Sequence, residues 1–285
     1  MLSLALALLT GAAPDGGVQR CGGVPCARFR DARAAFREVL VRRPAVLAVG
    51  EVHERTGAPK VPSALKRFTQ SLLPALQGQA GALVAETWML SGRCGVAEKS
   101  AAQQVEKVTE RPDSTEDELT ALLDRSYALG LKNHLLRLSC DDYRSMLDAD
   151  GELDPEKSLA LVKRKVEEKA LEVMEKGEAG QPGKALVLYG GALHNDVEPL
   201  PGMGAYSFAW ALQRETDGGY VELDLLVPEY LEGDEDYTGS AWLAPALALG
   251  AGGSVVLLSP RPDVFFLLFP RTPARPQKRS KPDGG

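Results

Sequence analysis

The sequence lacks two features that would place the protein in a large functional class at once. No stretch approaches the roughly 18 consecutive apolar residues of a membrane span, although 44% of the 285 residues are hydrophobic. An excess of basic residues is also missing, because the net charge is −6 and the isoelectric point is about 5.3. Nucleic-acid-binding proteins need a basic face that neutralises phosphates. The sequence therefore predicts neither a transmembrane helix nor a nucleic-acid partner.

Cysteine is scarce, and its spacing does not suit a zinc site. The chain has four cysteines, Cys21, Cys26, Cys94 and Cys140, without any C-x-x-C pair, which argues against structural zinc. An even number of cysteines is typical of disulfides in an oxidising compartment. Cys21 and Cys26 are close enough to form a small loop, which would leave Cys94 for Cys140, but sequence alone leaves all three pairings open.

The N-terminus resembles a secretory signal. A mostly apolar run, Leu2 to Leu9, is followed by the small residues Thr10 to Ala13, which fits an h-region and its cleavage site. No cysteine directly follows the small residues, so lipidation is disfavoured. A frayed apolar helix is the alternative. We expect an exported protein that is periplasmic, envelope-associated or secreted.

The strand pattern predicts an α/β fold with a mostly parallel central sheet flanked by helices. Continuous apolar runs are typical of parallel strands that are covered on both faces. Three such runs lie at 45–49, 82–85 and 185–189, and three later runs, 220–227, 254–259 and 264–269, predict additional C-terminal strands. A helix between the first two runs completes a βαβ unit. The region from about 98 to 177 shows helical periodicity without an evident strand, and we interpret it as a helical insertion beside the sheet.

These patterns predict a single domain with two flanking segments. Residues 1–26 form a signal peptide and a Gly-rich lead, and residues 27–271 form the α/β domain. Residues 272–285 are rich in Pro, Lys, Arg and Gly, a composition typical of a disordered tail.

Histidine is rare, and two of the three histidines share one sequence context. Gly50-Glu51-Val52-His53 and Gly191-Ala192-Leu193-His194 each follow an apolar strand. Glu86 follows a third such strand. Ligands of open α/β sheets bind beyond the carboxyl ends of the strands, so Glu51, His53, Glu86 and His194 should lie close together. The alternative is that the two histidines only cap turns through backbone hydrogen bonds.

The remaining polar residues near these motifs are interpreted as structural. His134 has neither a glycine turn nor an acidic partner at a useful spacing, so we predict a helical surface residue. Asp196 and Glu198 follow the second motif and are interpreted as loop acids. Their alternative role is to orient an imidazole.

Two imidazoles and two carboxylates form a donor set that can hold a divalent metal. With open positions left for water, such a set suits zinc, manganese or iron. A metal-bound water can become a nucleophile near neutral pH, and a carboxylate that is not a ligand can act as its base. The predicted metal and catalytic residues are Glu51, His53, Glu86 and His194.

The ordered trio of motifs resembles the superfamily of ChaN haem-uptake lipoproteins, erythromycin esterases and Tiki/TraB proteins. The resemblance covers roughly Ala45 to His194 and marks Glu51, His53, Glu86 and His194 as the shared polar site. It implies a metal-dependent hydrolase of peptide or ester bonds, acting on a small molecule or a peptide. It also implies a haem-binding uptake protein as an alternative, with His53 and His194 as haem ligands. A catalytically inactive interaction scaffold is a further alternative, and a homodimer is compatible with the sequence.

Overall fold

The computed structural model of the chain describes residues 14–54, 57–90, 112, 114–232 and 234–273. Nine strands form one sheet in the order β1-β2-β8-β9-β7-β3-β6-β4-β5. Their bounds are β1 Val18–Cys21, β2 Val24–Phe29, β3 Val46–Glu51, β4 Ala80–Leu90, β5 Lys132–Leu138, β6 Ala185–Gly191, β7 Tyr220–Leu226, β8 Val255–Arg261 and β9 Val264–Leu268.

Helices of very different length connect the strands. Their bounds are α1 Ala32–Leu40, α2 Ala64–Arg67, α3 Ser114–Ala128, α4 Cys140–Ser145, α5 Pro155–Glu175, α6 Ala192–Asn195, α7 Ala209–Glu215, α8 Pro228–Leu231, α9 Glu235–Thr238 and α10 Leu243–Leu249. Helix α2 continues as a π turn, Phe68–Leu72, and a 3-10 turn, Leu73–Leu76. Pro74 lies at the start of the 3-10 turn, since proline suits the first turn of a helix but not its interior.

Six neighbouring strands, from β5 across to β9, run parallel, and only β8, β2 and β1 are antiparallel to their neighbours. The predicted α/β class with a mostly parallel sheet is confirmed. Residues 46–49 of β3 expose at most 2% of their surface, as expected for a strand covered on both sides.

Two helical layers cover the sheet. On one side, which we call the α1 face, Val49 and Tyr189 pack with α1, α2 and the π turn. On the other side, the α5 face, Ala48 and Leu188 pack with α5 and α7. Successive residues of a strand point to opposite faces, so each site residue can be assigned to one of these layers.

The region that was expected to be helical and free of strands contains β5, which pairs in parallel with β4. The expectation is therefore wrong for residues 132–138, and so is the prediction that His134 lies on a helix. Its Nε2 lies 2.9 Å from Oε2 of Glu178, in the turn before β6. Residues 91–111 and 113 of the predicted insertion lie outside the described residues.

The sheet also begins earlier than the predicted domain. Strands β1 and β2 form a hairpin within and just after the predicted lead, and β2 pairs with β8. The Cys21–Cys26 disulfide joins the two strands and is buried in the core below α10. Cys140 is also disulfide-bonded, whereas its expected partner Cys94 lies outside the described residues.

Most residues of the predicted signal peptide and of the predicted C-terminal tail lie outside the part of the chain that the structure describes. Residues 1–13, which carry the predicted signal, and 274–285, most of the predicted tail, lie outside the described residues. Thr272 is ordered by a backbone hydrogen bond to Oε1 of Glu229. Within the described chain, every helix is too short or too polar to cross a membrane.

Candidate active site

The two GxxH motifs lie on neighbouring strands whose connections leave the sheet on opposite sides. Strand β3 pairs with β6. The chain after β3 forms α2 on the α1 face, whereas the chain after β6 leads to α7 on the α5 face. Connections that diverge in this way open a crevice at the carboxyl ends of the two strands. The motifs therefore flank a topological switch point.

Glu51 and His53 form a hydrogen-bonded pair on the α1 side of this crevice. His53 Nδ1 lies 3.0 Å from Glu51 Oε1, and the Tyr189 hydroxyl donates to Glu51 Oε2 at 2.5 Å. Glu51 is buried, whereas 26% of the His53 side chain is exposed. Since a carboxylate accepts the Nδ1 hydrogen, the neutral imidazole carries its lone pair on Nε2.

Glu86 lies in an irregular part of β4. The β4–β5 register shifts between Ala85 and Trp88, and the β4–β6 pairing ends at Ala85. The Glu86 side chain faces the α5 side, as that of Val84 does two residues earlier. The Glu86 Oε2 atom accepts a 2.8 Å hydrogen bond from Gly191 N. Strand β4 continues to Leu90, so the expectation that it ends at Glu86 is wrong.

His194 approaches from the α5 side on the short helix α6. Its Nδ1 lies 2.8 Å from the Tyr206 carbonyl oxygen, and the residue is only 3% exposed. A carbonyl can only accept, so Nδ1 carries the hydrogen and Nε2 the lone pair. His194 and Glu86 line one small pocket with Asn195, Val166 of α5 and Phe208, the residue before α7. The pocket has room for a single water-sized species.

Gly191 is the point at which the two sides of the site meet. A Cβ atom there would lie 2.9 Å from His53 Nε2 and 3.8 Å from Glu86 Oε2. The structure thus brings all four predicted residues to one crevice. Among the described residues, however, no three of these four place ligand atoms within 4.8 Å of one another. Glu51 and His53 form a hydrogen-bonded pair on the α1 side, whereas Glu86 and His194 line one pocket on the α5 side.

Glycine is required beneath the site because other groups occupy the space of a side chain. Gly50 and Gly190 are register partners on adjacent strands. A Cβ on Gly190 would lie 2.2 Å from Glu86 Oε2, and one on Gly50 would lie 2.6 Å from Asp224 Oδ1. The two glycines form a trough on the α5 face with a carboxylate at each side. Glycine permits this close approach because it has no side chain.

A second polar cluster lies beside this trough and was not predicted as a site. Asp196, Glu222 and Asp224 have carboxylate oxygens that all lie within 4.8 Å of one another. Glu222 and Asp224 are 3% and 4% exposed. Glu222 Oε2 accepts from Val197 N at 2.6 Å, and Asp224 Oδ1 accepts from Asn195 Nδ2 at 3.1 Å. This acidic trio could hold a metal ion.

Burial makes the charged forms of the trio unfavourable. It raises the pKa of Asp196 to about 6. Desolvation, followed by repulsion from neighbouring carboxylates, raises the pKa values of Glu222 and Asp224 above their usual range. In the absence of a bound cation, the trio therefore holds protons at neutral pH that isolated carboxylates would release.

Replacing Glu222 with glutamine is expected to stabilise the protein at alkaline pH. A raised folded-state pKa means that stability is lost as pH rises above the unfolded value, 4.5, until the raised pKa is passed. Glutamine keeps an oxygen for Val197 N but cannot ionise. With a chelator present, we expect a gain of about 1 to 3 kcal/mol at pH 8 and little change at pH 4, measured by urea unfolding.

The matched control for this substitution is Glu198→Gln, because the Glu198 side chain is 72% exposed in an ion pair with Arg261. It should change stability by less than about 0.5 kcal/mol at both pH values. Equal stability of Glu222→Gln and wild type at pH 8 would show that Glu222 is not held in a strained, desolvated environment.

Comparison with known proteins does not assign the chain to a family. No protein-family model, curated protein or solved structure matches the chain. The resemblance to the ChaN, erythromycin esterase and Tiki/TraB superfamily stays a prediction that rests on three short motifs.

Proposed function

We propose that the protein is a hydrolase of ester or peptide bonds whose site divides into a water-activating pair and a metal-binding pair. The observation that carries the proposal is the anchoring of both imidazoles through Nδ1. Glu51 holds His53, and the Tyr206 carbonyl holds His194. The lone pair of each neutral imidazole is then on Nε2. His53 Nε2 lies beside Gly191, and His194 lines the pocket that Glu86 also lines. Such an outer hydrogen bond is the usual support of both catalytic and metal-ligating histidines.

His53 is the general base in this proposal. Its partial exposure gives a substrate access to Nε2, and Glu51 stabilises the imidazolium that forms when His53 takes a proton from water. Tyr189 in turn fixes the second oxygen of Glu51. Since both Glu51 oxygens are engaged, Glu51 is better suited to orienting His53 than to ligating a metal.

Glu86 and His194 would hold a divalent metal in their shared pocket. One carboxylate and one imidazole suit zinc, manganese or iron, and the apolar walls of the pocket strengthen electrostatic interactions there. When bound, the metal would polarise a carbonyl oxygen or lower the pKa of a water molecule. This proposal keeps Glu86 and His194 from the predicted set of four metal ligands and assigns His53 and Glu51 to a separate role.

The test is hydrolysis of chromogenic esters and fluorogenic peptides by the purified chain, with and without chelation. We expect activity on at least one class of substrate, a loss of about a hundredfold or more after chelation, and restoration by zinc, manganese or iron. Activity that is unaffected by complete metal removal would contradict the metal part of the proposal. Absence of hydrolysis with every metal and substrate would contradict the hydrolase itself.

Haem uptake receives less support. The pocket that His194 lines is too small for a macrocycle, and the Tyr189 hydroxyl is committed to Glu51. Haem binding would instead have to use the exposed edge of His53, and titration with haemin tests it through a Soret band. The inactive-scaffold alternative predicts that substitution of any of the four residues Glu51, His53, Glu86 and His194 leaves every cellular phenotype unchanged.

We further propose that the protein is exported. The support is the apolar N-terminal run in the sequence together with the disulfide between Cys21 and Cys26, because disulfides persist in oxidising compartments. Fractionation of cells that express the full chain tests this proposal.

A further inference from the structure

Asn195, the residue after the second GxxH histidine, has a buried oxygen without a partner. The residue is 2% exposed, and its Oδ1 atom has no hydrogen-bond partner. Leaving a buried amide oxygen unpaired is unfavourable, because the atom loses its hydrogen bonds to water without replacement. Native structures rarely tolerate such an atom unless a water molecule, an ion or a catalytic role accounts for it.

The orientation of this amide is fixed by its nitrogen. Nδ2 donates to the Ala48 carbonyl at 3.3 Å and to Asp224 Oδ1 at 3.1 Å. Rotating the amide by 180° would place Oδ1 against the Ala48 carbonyl oxygen, which can only accept a hydrogen bond. The Ala48 carbonyl of β3 therefore fixes which end of the amide carries Nδ2, and Asp224 accepts the second hydrogen bond from it.

The unpaired oxygen belongs to a residue that lines the pocket between Glu86 and His194. Asp224 lies on β7, on one side of β3, whereas the pocket lies on the β6 and β4 side. With Nδ2 directed to β7, the polar atom that Asn195 can offer to the pocket is Oδ1. The pocket then has one imidazole, one carboxylate and one amide oxygen.

We propose that Asn195 is a third ligand residue of this pocket and binds the metal ion through Oδ1, together with Glu86 and His194. The inference rests on the proposed metal site and extends it. An amide oxygen is a suitable ligand for hard and borderline divalent ions. Asp224 acts as a positioning residue, because its contact with Nδ2 keeps Oδ1 turned toward the pocket.

Two substitutions of the same residue separate ligation from a structural role. Asn195→Leu removes both amide atoms at similar volume, whereas Asn195→Asp loses the donor and keeps an oxygen. The probe is Co²⁺ added to metal-free protein, with affinity and ligand geometry read from its visible absorption bands. Circular dichroism confirms that each variant is folded.

We expect Asn195→Leu to weaken Co²⁺ binding about tenfold or more and to change the absorption bands. Asn195→Asp should bind within about threefold of wild type or more tightly, because it retains an oxygen ligand and adds negative charge. Asn133→Leu is the control, since the Asn133 amide is partly buried and takes part in two hydrogen bonds away from the pocket, and it should leave binding unchanged.

Each other outcome overturns the proposal in a distinguishable way. Equal loss of binding in both Asn195 variants would mean that the residue acts only through its Nδ2 hydrogen bonds. Unchanged binding in Asn195→Leu would mean that Oδ1 is not a ligand, while the metal site itself stands. If the wild-type protein binds no Co²⁺, both the proposed metal site and the proposed role of Asn195 as a ligand are wrong. Should Asn195→Leu fail to fold, the affinity of Asn195→Asp decides alone.

Discussion

Replacing His53 with glutamine should reduce the kcat/KM of hydrolysis about a thousandfold while the protein remains folded and keeps its metal. General-base catalysis contributes about a hundred- to ten-thousandfold, and glutamine can hydrogen-bond with Glu51 but cannot accept a proton from water. The metal should remain because, in the proposed site, Glu86 and His194 rather than His53 would hold it. Steady-state kinetics on whichever substrate the wild type cleaves, with metal content measured on the same samples, checks both parts.

His134→Gln is the control for this substitution. His134 is the third histidine of the chain and lies on β5 beside Glu178, so its replacement should leave kcat/KM within about twofold. A His53→Gln variant with wild-type activity would remove the proposed base. A variant that loses both activity and metal would show instead that His53 is a ligand, as the sequence alone predicts.

Substitution of Gly50 with alanine should destabilise the protein by about 2 to 4 kcal/mol. The new Cβ would lie 2.6 Å from Asp224 Oδ1 and 2.7 Å from both Ala192 Cα and Asn195 Nδ2. Two of these atoms belong to the segment that carries His194, so the strain is transmitted to the metal-binding pair. Overpacking of a rigid core costs about 1 to 3 kcal/mol, and the displaced Asn195–Asp224 hydrogen bond adds about 1 kcal/mol.

Gly204→Ala provides the comparison for Gly50→Ala in thermal and urea unfolding. The nearest atom to a Cβ at Gly204 is Pro199 Cγ at 3.7 Å, which is an ordinary van der Waals contact, so stability should change by less than about 0.5 kcal/mol. If Gly50→Ala were equally neutral, the trough beneath the site would be adaptable and its two glycines would not be required for packing.

The strands that carry the site could be predicted from the sequence because each of them can be recognised from its own residues. Strands β3 and β6 are buried on both faces, so their apolar runs are uninterrupted and end at glycine. Glu51 and His53 meet because residues i and i+2 of an extended chain point to the same side. Glu86 and His194 line one pocket because their parallel strands end at the same edge. The separation into two groups could not be predicted, because it depends on the side of the sheet to which the chain turns after β3 and after β6.

Glu222 and Asp224 could not be recognised as part of a polar cluster. Each is flanked by apolar residues in Tyr220–Leu226, an alternation that is typical of a strand with one face in water. Glu222 and Asp224 are buried because the chain after β6 lies over their face of the sheet. The same segment brings Asp196 beside them. The i,i+2 spacing of two acids in an otherwise apolar strand was the one available signal.

Strand β5 was missed for a related reason. Its first three residues, Lys132 to His134, are polar, and its apolar residues begin only at Leu135, which gives a seven-residue edge strand neither a clean alternation nor an apolar run. Pairing with β4 supplies the hydrogen bonds that stabilise it. Tertiary pairing of this kind leaves little trace in a short segment of sequence.

The most direct test of the divided site is the metal content of three purified proteins, measured by elemental analysis beside an absorbance scan for haem. We predict about one equivalent of zinc, manganese or iron per chain in wild type, the same in Glu222→Gln, and almost none in His194→Gln, with no Soret band. Retention of metal in His194→Gln together with its loss in Glu222→Gln would contradict the account, because the ion would then lie in the acidic trio.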